Sequence, residues 1–303
     1  MQIYFIFVNK KMKKVFISGQ SGFIGTHLSN ILKAKGYEVV AVDRRAFKMN
    51  AADFLSFMEG ADIVINLAGA PIIKRWTKAY KNELIASRIF TTRKLAQAID
   101  YLEKKPLLFI SVSAVGIYDD KGIKTEQSDI YGHNFLSKLC IDWEAEATLT
   151  DARTQVAVCR MGIVIGENGG AMKSLLPFFK MGLGGKIGNG SQMLSWIQIE
   201  DVINAFMYII EGNVGGTFNF TAPQPVTNKA FTKALAAVLN KPAFLPIPTF
   251  ALRLIYGEGA SVLTGGQDVR PKNLEDIGYK FTYPDIDSAL TCIIHKKQTK
   301  RCI

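Results

Sequence analysis

Gly19, Gly22 and Gly25 recur as Gly-x-x-Gly-x-x-Gly, directly after the apolar run Val15–Ser18 and directly before Leu28, Ile31 and Leu32, which repeat with helical period. Between a strand and a helix, residues without side chains let backbone N–H groups reach a diphosphate, and the positive end of the helix holds its charge. Gln20, Ser21, Phe23 and Ile24 complete that loop. A second apolar run, Glu38–Val42, ends on Asp43, where a carboxylate would bond a ribose 2′-hydroxyl. The constellation is that of a dinucleotide site. Arg44 and Arg45 follow at once, and two guanidiniums suit a 2′-phosphate, so the residues leave NAD against NADP open. A third chemical element is the pair Ser111 and Ser113, two hydroxyls on one side of a strand end that could hold a substrate oxygen.

These residues need elements to position them. Residues 61–66 and 106–113 read as a third and fourth strand and 155–160 as a fifth, with helices at 84–102 and 135–149 between them. Strands alternating with helices imply an α/β fold, a Rossmann-type doubly wound parallel sheet, with ligands beyond the carboxyl ends of the strands. From about Gly166 the texture changes to glycine-rich loops, helices at 201–211 and 229–239, and the prolines Pro242, Pro246 and Pro248. The expected division is a nucleotide-binding domain over 12–165 and a smaller C-terminal α/β lobe over 166–303, partly interleaved with the first and closing a cleft for substrate.

Composition narrows the class. In 303 residues, 48% hydrophobic and 21% charged content is that of an ordinary globular enzyme. The net charge of +11 would suggest an acidic partner, but Lys10, Lys11, Lys13, Lys14, Lys296, Lys297, Lys300 and Arg301 cluster at the two ends, and no basic helix or aromatic recognition motif accompanies them. Nucleic acid is therefore not expected. Cys140, Cys159, Cys292 and Cys302 form no Cys-x-x-Cys, which argues for a reducing compartment without structural zinc or disulfides. The opening Met1–Val8 is too short to span a bilayer, and its charges follow the apolar run, the wrong order for a secretory signal. Residues 1–11 read as a dispensable extension, the location as cytoplasm, and no membrane partner or metal is expected.

The blocks Asp62-Ile-Val-Ile-Asn-Leu-Ala-Gly-Ala-Pro-Ile-Ile-Lys-Arg-Trp-Thr77, Ser113-Ala-Val-Gly-Ile-Tyr118, Asp142-Trp-Glu-Ala-Glu146, Gly182-Leu-Gly-Gly185 and Ser195-Trp-Ile-Gln-Ile-Glu-Asp201 closely resemble the epimerase-like proteins of the extended short-chain dehydrogenase/reductase superfamily. The match is to an atypical subgroup with a C-terminal domain of unknown function, and it runs from Met12 to about Leu290. The resemblance implies an NAD(P) site that also draws on Asn66, Leu67, Ala68 and Gly69 for the adenosine half, and on Ser111 and Arg160. It further implies a cleft in which Arg75 and Trp76 meet substrate, and a segment with Ser195 and Trp196 near the nicotinamide end. Asp43 stands where the subgroup commonly has a small polar residue, and Gln198 where it more often has His.

Hydride chemistry in this superfamily uses Ser with Tyr-x-x-x-Lys, the lysine lowering the phenol's pKa. That motif is missing. Tyr131 and Lys138 have the right types at a spacing of seven, about 10.5 Å of helical rise instead of about 6 Å. Anchoring on Trp143-Glu144 puts Leu136 and Cys140, or a neighbouring pair, in their place. Ser113 is then the leading catalytic candidate, with Tyr118, Tyr131 and Lys138 as substitutes for the acid. The expectation is an oxidoreductase passing hydride to or from a small carbonyl, alcohol or nucleotide-sugar substrate, with a second copy of the chain among its candidate partners; the alternative is a non-catalytic NAD(P)-binding redox sensor.

Overall fold

The structure is a computed structural model that describes residues 12–167 and 169–295. The first half alternates strictly: β1 (Lys14–Ser18), α1 (Phe23–Ala34), β2 (Glu38–Val42), α2 (Ala51–Met58), β3 (Ile63–Asn66), α3 (Lys78–Ile85), α4 (Thr91–Tyr101) and β4 (Leu108–Ala114). A two-residue β5 (Ile123–Lys124) precedes α5 (Phe135–Thr148) and β6 (Gln155–Met161). Then come β7 (Ile163–Gly166), β8 (Gly169–Gly170), α6 (Met172–Lys180), β9 (Met193–Leu194), β10 (Trp196–Gln198), α7 (Ile199–Gly212) and β11 (Gly216–Phe220). The C-terminal part holds β12 (Val226–Thr227), α8 (Asn228–Leu239), α9 (Thr249–Tyr256), α10 (Ser261–Thr264), β13 (Asp268–Val269), α11 (Lys272–Asp276) and α12 (Ile286–His295).

The main sheet has six parallel strands in the order β11-β6-β4-β3-β1-β2. Parallel neighbours need crossovers, and these place α1 and α7 together on one face and α2, α4 and α5 on the other. Both faces are covered, so the strands are apolar throughout: Val15, Ile17, Ile63, Ile65, Leu108 and Ile110 face one core and Phe16, Val64 and Phe109 the other. The chain reverses direction of growth between β1 and β3. Their carboxyl ends therefore open the crevice in which a doubly wound sheet binds its ligand.

The expected boundary at residue 166 does not divide the sheet. The strand at one edge, β11, lies at 216–220, and α7 packs on α1, so residues beyond 166 build the nucleotide-binding layer as well. A separate core of Trp196, Phe231, Leu235, Ala289 and Leu290 holds α8 and α12 together as the smaller lobe. The helix expected at 84–102 starts six residues earlier and is broken by a π turn at 86–90, which lets Ser87 Oγ receive the Ala70 amide at 3.0 Å. Of the basic chain ends, Lys10, Lys11, Lys296, Lys297, Lys300 and Arg301 lie outside the described residues, as does Cys302, whereas Lys14 opens β1 and pairs with Glu38.

Candidate functional site

The glycine loop is shaped by contact as much as by ligand. Gly19 has φ +71°, and a Cβ there would stand 2.6 Å from the Leu67 carbonyl oxygen; one on Gly25 would stand 2.4 Å from the Gly19 oxygen. Both glycines therefore bring the loop, the helix and the β3 turn together. α1 has no side-chain cap and no acidic residue in its first turn, so its leading N–H groups and positive end remain for an anion. Phe23 and Ile24 turn their side chains into the core and offer only backbone. The β7–β8 hairpin closes over the Phe23 ring: a Cβ at Gly169 would lie 2.0 Å from it, which explains the Gly169-Gly170 pair. A cavity of about 530 Å³ opens here, with Ser21, Gly22, His27 and Lys173 in its wall and α1, α6 and α7 starting around it. α1 and α6 start without a side-chain cap, whereas α7 is capped by Gln198 and brings Glu200 into the wall beside Glu167; the α1 end, with its close-packed glycines and Lys173 across the cavity, is the part that fits a dinucleotide diphosphate.

At the end of β2, Asp43 is occupied with its own turn. Its Oδ1 accepts the Arg45 amide at 2.8 Å and the Ala46 amide at 3.0 Å, and these two bonds hold the carboxyl below its usual pKa. Arg44 and Arg45 are exposed and make no ion pair among the described residues.

Asn66 has a different job from the one the resemblance implies. It is fully buried; Ser18 Oγ donates to its Oδ1 at 2.5 Å, and its Nδ2 donates at 2.7 Å to Thr92 Oγ1, which also receives Trp143 Nε1 at 2.8 Å. The side chain braces β1, α4 and α5, so this turn presents only the backbone of Leu67, Ala68 and Gly69 to a ligand. Gly69 lies against the half-buried Arg88 guanidinium, which donates to the Ala70 carbonyl.

In the β4–β6 register Ser113 faces Arg160, so both side chains point to the face covered by α5. Ser111 lies on the same side, buried. The Ser113 hydroxyl is 2% exposed and has no partner in bonding geometry; the polar group facing it is the Cys140 thiol, which burial pushes up to about 12. Buried hydroxyls almost always have partners, and Ser113 is one of five residues among those described with a buried side-chain oxygen left without one in bonding geometry. Leu136 packs against Gly116, one turn before Cys140. With Trp143-Glu144 as the anchor, the helix positions expected for tyrosine and lysine thus hold a leucine and a thiol kept neutral by burial.

Arg160 and Tyr118 depart from their expected roles. Arg160 is buried, and burial works against its charge, but Glu144 more than offsets this by gripping it with Nε–Oε1 2.9 Å and Nη2–Oε2 2.8 Å. Its Nη1 donates to the Tyr118 hydroxyl at 2.6 Å, and that hydroxyl donates to Asn219 Oδ1 at 3.0 Å. Tyr118 is wholly buried with its phenol raised in pKa by burial, so it is a brace between strands and not a free acid, and Arg160 is committed to the brace instead of a cofactor. Tyr131 is different: half-buried, it lies at the edge of this cluster with its hydroxyl 3.4 Å from Arg160 Nη2. Lys138 sits on the exposed face of α5, opposite the face that carries Cys140 and Leu139.

The residues expected at the substrate end are mostly joints. Trp76 is buried, donates to the Ile72 carbonyl at 2.9 Å and lies edge-on to Phe135; Arg75 is exposed and reaches the Leu254 carbonyl at 2.8 Å. Ser195 Oγ donates to the Gln267 carbonyl at 2.7 Å and accepts the Val269 amide at 2.9 Å, and Trp196 is buried with Nε1 on the Gln224 carbonyl. Sequence reasoning missed that Asp201 is a joint too: buried, it accepts the Thr282 and Tyr283 amides at 2.8 and 2.9 Å and the Tyr279 hydroxyl. Its place in the first turn of α7 was the available signal. Among the described residues no cluster of three His, Cys, Asp or Glu could hold a metal.

The sequence profile of the NAD dependent epimerase/dehydratase family matches residues 15–220. The chain belongs to that family. A domain of unknown function, DUF1731, matches residues 247–293 and coincides with the segment from Ile247 to α12. Epimerase family protein SDR39U1 of Mus musculus is 37% identical over 291 residues, 93% of this chain and 99% of the relative. Epimerase family protein YfhF of Bacillus subtilis is 36% identical over 303 residues, 94% and 99%. The crystal structure of human SDR39U1 with NADPH superposes with a TM-score of 0.87 at 33% identity, covering 93% of this chain and 99% of that one. The family places an NAD(P)-binding, Rossmann-type, epimerase-like dehydrogenase/reductase fold beyond doubt. Among the described residues no helix is long and apolar enough to cross a membrane.

Proposed function

We propose that the chain is an NADP(H)-dependent oxidoreductase acting on a small carbonyl or alcohol, nucleotide sugars included, in a reducing, cytoplasmic compartment. The bound nicotinamide would supply the hydride. The glycine loop and the start of α1 hold the diphosphate, and Arg44 with Arg45 hold the 2′-phosphate, Asp43 being occupied with its turn. Ser113 positions the substrate oxygen, and Tyr131, backed by the Arg160 guanidinium, stands at the edge of the same cluster to exchange the proton. The unpartnered, buried Ser113 hydroxyl carries this reading. The test is a panel of aldehydes, ketones, alcohols and nucleotide sugars followed by NADPH absorbance, with Ser113→Ala and Tyr131→Phe alongside. Loss of turnover with cofactor binding intact supports it; no exchange with any member of the panel in a protein that binds NADPH defeats it.

A second reading rests on Leu136 and Cys140, which leave no titrating pair at the usual acid's position. A redox sensor would then bind NADP and NADPH with clearly different affinities and never turn over, since a ligand shifts a conformation only by its differential affinity.

A further inference from the structure

Three segments of the smaller lobe run side by side on its outer face. The 182–188 turn lies along the 242–249 strand-like stretch, with the Ile247 amide on the Lys186 carbonyl at 2.8 Å and the Gly188 amide on the Ile247 carbonyl at 2.9 Å. A Cβ on Gly182 would touch Pro242, and Gly188 touches Thr249 at the start of α9. From these segments large apolar side chains stand in solvent: Phe178 and Met181 at the end of α6, Leu183, Phe244, and on α9 Phe250 (73% exposed) and Leu254 (76%), one helical turn apart. Leu252 alone anchors α9 inward. Contiguous exposed apolar surface of this kind marks a contact that the isolated chain does not make.

The charge around it is of one sign. No carboxylate occurs between Glu167 and Glu200 or between Glu211 and Glu258, whereas those two stretches carry Lys173, Lys180, Lys186, Lys229, Lys233, Lys241 and Arg253. None of the seven is in an ion pair of the described residues, and Glu258 at the border is taken by Lys81. Lys173 faces the cavity at the start of α1, and the other six add positive charge to these stretches beyond that of the chain ends. An isologous contact with a second copy would set this unpaired positive surface against itself. The cavities at the start of α1 and beside Arg93 and Glu146 are lined by other residues, and the apolar side chains of this face protrude into solvent.

We propose that this face docks on an anionic lipid surface, Phe250, Leu254, Phe244 and Met181 entering the interface while Lys180, Lys186, Lys241 and Arg253 meet the headgroups. Aromatic and aliphatic tips with cations around them match the layering of a bilayer interface, and such contact needs no spanning segment. Excluding a membrane on the lack of a span does not apply to it. The docking is independent of the catalytic reading and would hold for an enzyme or a sensor.

The test is co-sedimentation of the full-length protein with vesicles of phosphatidylcholine and of an equimolar mixture with phosphatidylglycerol. The expected result is binding to the mixed vesicles only, weakened by salt, and at least about tenfold weaker both for Phe250→Ser/Leu254→Ser and for Lys180→Glu/Lys186→Glu. NADPH titration of each variant should match the parent, showing that the fold is intact. Equal binding to neutral vesicles, binding unchanged in both variants (which would assign it to the basic chain ends), or a dimer in light scattering that Phe250→Ser/Leu254→Ser dissolves without any vesicle binding would each overturn the proposal.

Discussion

If Arg44 and Arg45 hold a 2′-phosphate as proposed, replacing Arg44 by Ala should leave a protein that barely discriminates NADPH from NADH. The reasoning starts with Asp43, whose carboxylate would ordinarily repel a 2′-phosphate. Here Oδ1 receives two backbone amides, and the charge is partly neutralised by them and by the neighbouring Arg45. Arg44 shares no such tie. A guanidinium hydrogen bond to phosphate is charge-assisted, and at an exposed position its low end of about 1.4 kcal/mol corresponds to about tenfold in Kd. Fluorescence titration should therefore show NADPH weakened about tenfold in Arg44→Ala with NADH unchanged. Asp43→Asn separates the two jobs of the carboxylate, because the amide oxygen can still accept from Arg45 and Ala46 while the negative charge is gone. It should tighten NADPH a few-fold and leave NADH the same or slightly weaker. Asp43→Ala loses the turn as well and should gain less. If the parent binds NADH more tightly than NADPH, or if Arg44→Ala weakens both cofactors alike, the assignment of the 2′-phosphate to this turn fails.

Ser113→Ala should leave NADPH affinity within about twofold and leave the thermal midpoint unchanged or higher, because it removes a buried hydroxyl with no partner; a loss beyond about 1 kcal/mol in urea unfolding would mean the hydroxyl is structural. Glu144→Leu leaves Arg160 buried and uncompensated and should cost about 3–5 kcal/mol in the same assay, whereas Glu144→Leu with Arg160→Met should recover much of it; equal losses would show the two groups to be uncoupled. Glu126 is held above its usual 4.5 by burial, although it accepts the Asn219 amide at 2.7 Å, so its favourable contribution is present below that value and is lost as pH rises through the folded pKa. Glu126→Gln should accordingly match the parent near pH 4 and raise the thermal midpoint at pH 8; a lower midpoint at pH 8 would reverse the sign.

The sheet was legible because a buried parallel strand and an amphipathic crossover leave strong local signals, and β1 to β4 and β6 lie where apolar runs and helical period place them. The glycine loop was legible for the same reason, since strand, loop and helix are consecutive. What sequence could not separate was residues at a site from residues behind it. Asn66, Tyr118, Arg160, Ser195 and Trp196 all occur in blocks near the ligand crevice, yet each side chain is used in a hydrogen-bonded joint with at least one partner 26 or more residues away. Such partners are set by topology, and no local spacing reveals them. β11 was missed as a member of the main sheet because it follows a long excursion through the second lobe, where Gly216 to Phe220 alternates too briefly to announce a buried strand. Ser113 and Cys140 are the contrary case: counting back from Trp143-Glu144 put Cys140 one turn from Glu144, and on the folded helix the two residues face Ser113 and Arg160, neighbours on adjacent strands.

That stripe changes how the site can carry charge. Leu136, Cys140 and Glu144 follow at four-residue intervals on α5 and all face the β4–β6 end, so the helix presents an apolar group, a neutral thiol and an anion. In the superfamily's usual arrangement the cation comes from this helix; here the helix supplies the anion, and the cation comes from the strand as Arg160. A lysine introduced at Cys140 would bring a second cation into the buried neighbourhood of Arg160 and Arg88, so restoring Tyr-x-x-x-Lys by Leu136→Tyr with Cys140→Lys should fail to restore its chemistry and should destabilise the fold. In the proposed enzyme the proton route would follow the cation, and the half-buried phenol within reach of Arg160 is Tyr131. If the doubly substituted protein is stable and gains turnover while Tyr131→Phe in the parent leaves turnover unchanged, then the charge of Arg160 serves only the fold and the proton comes from elsewhere.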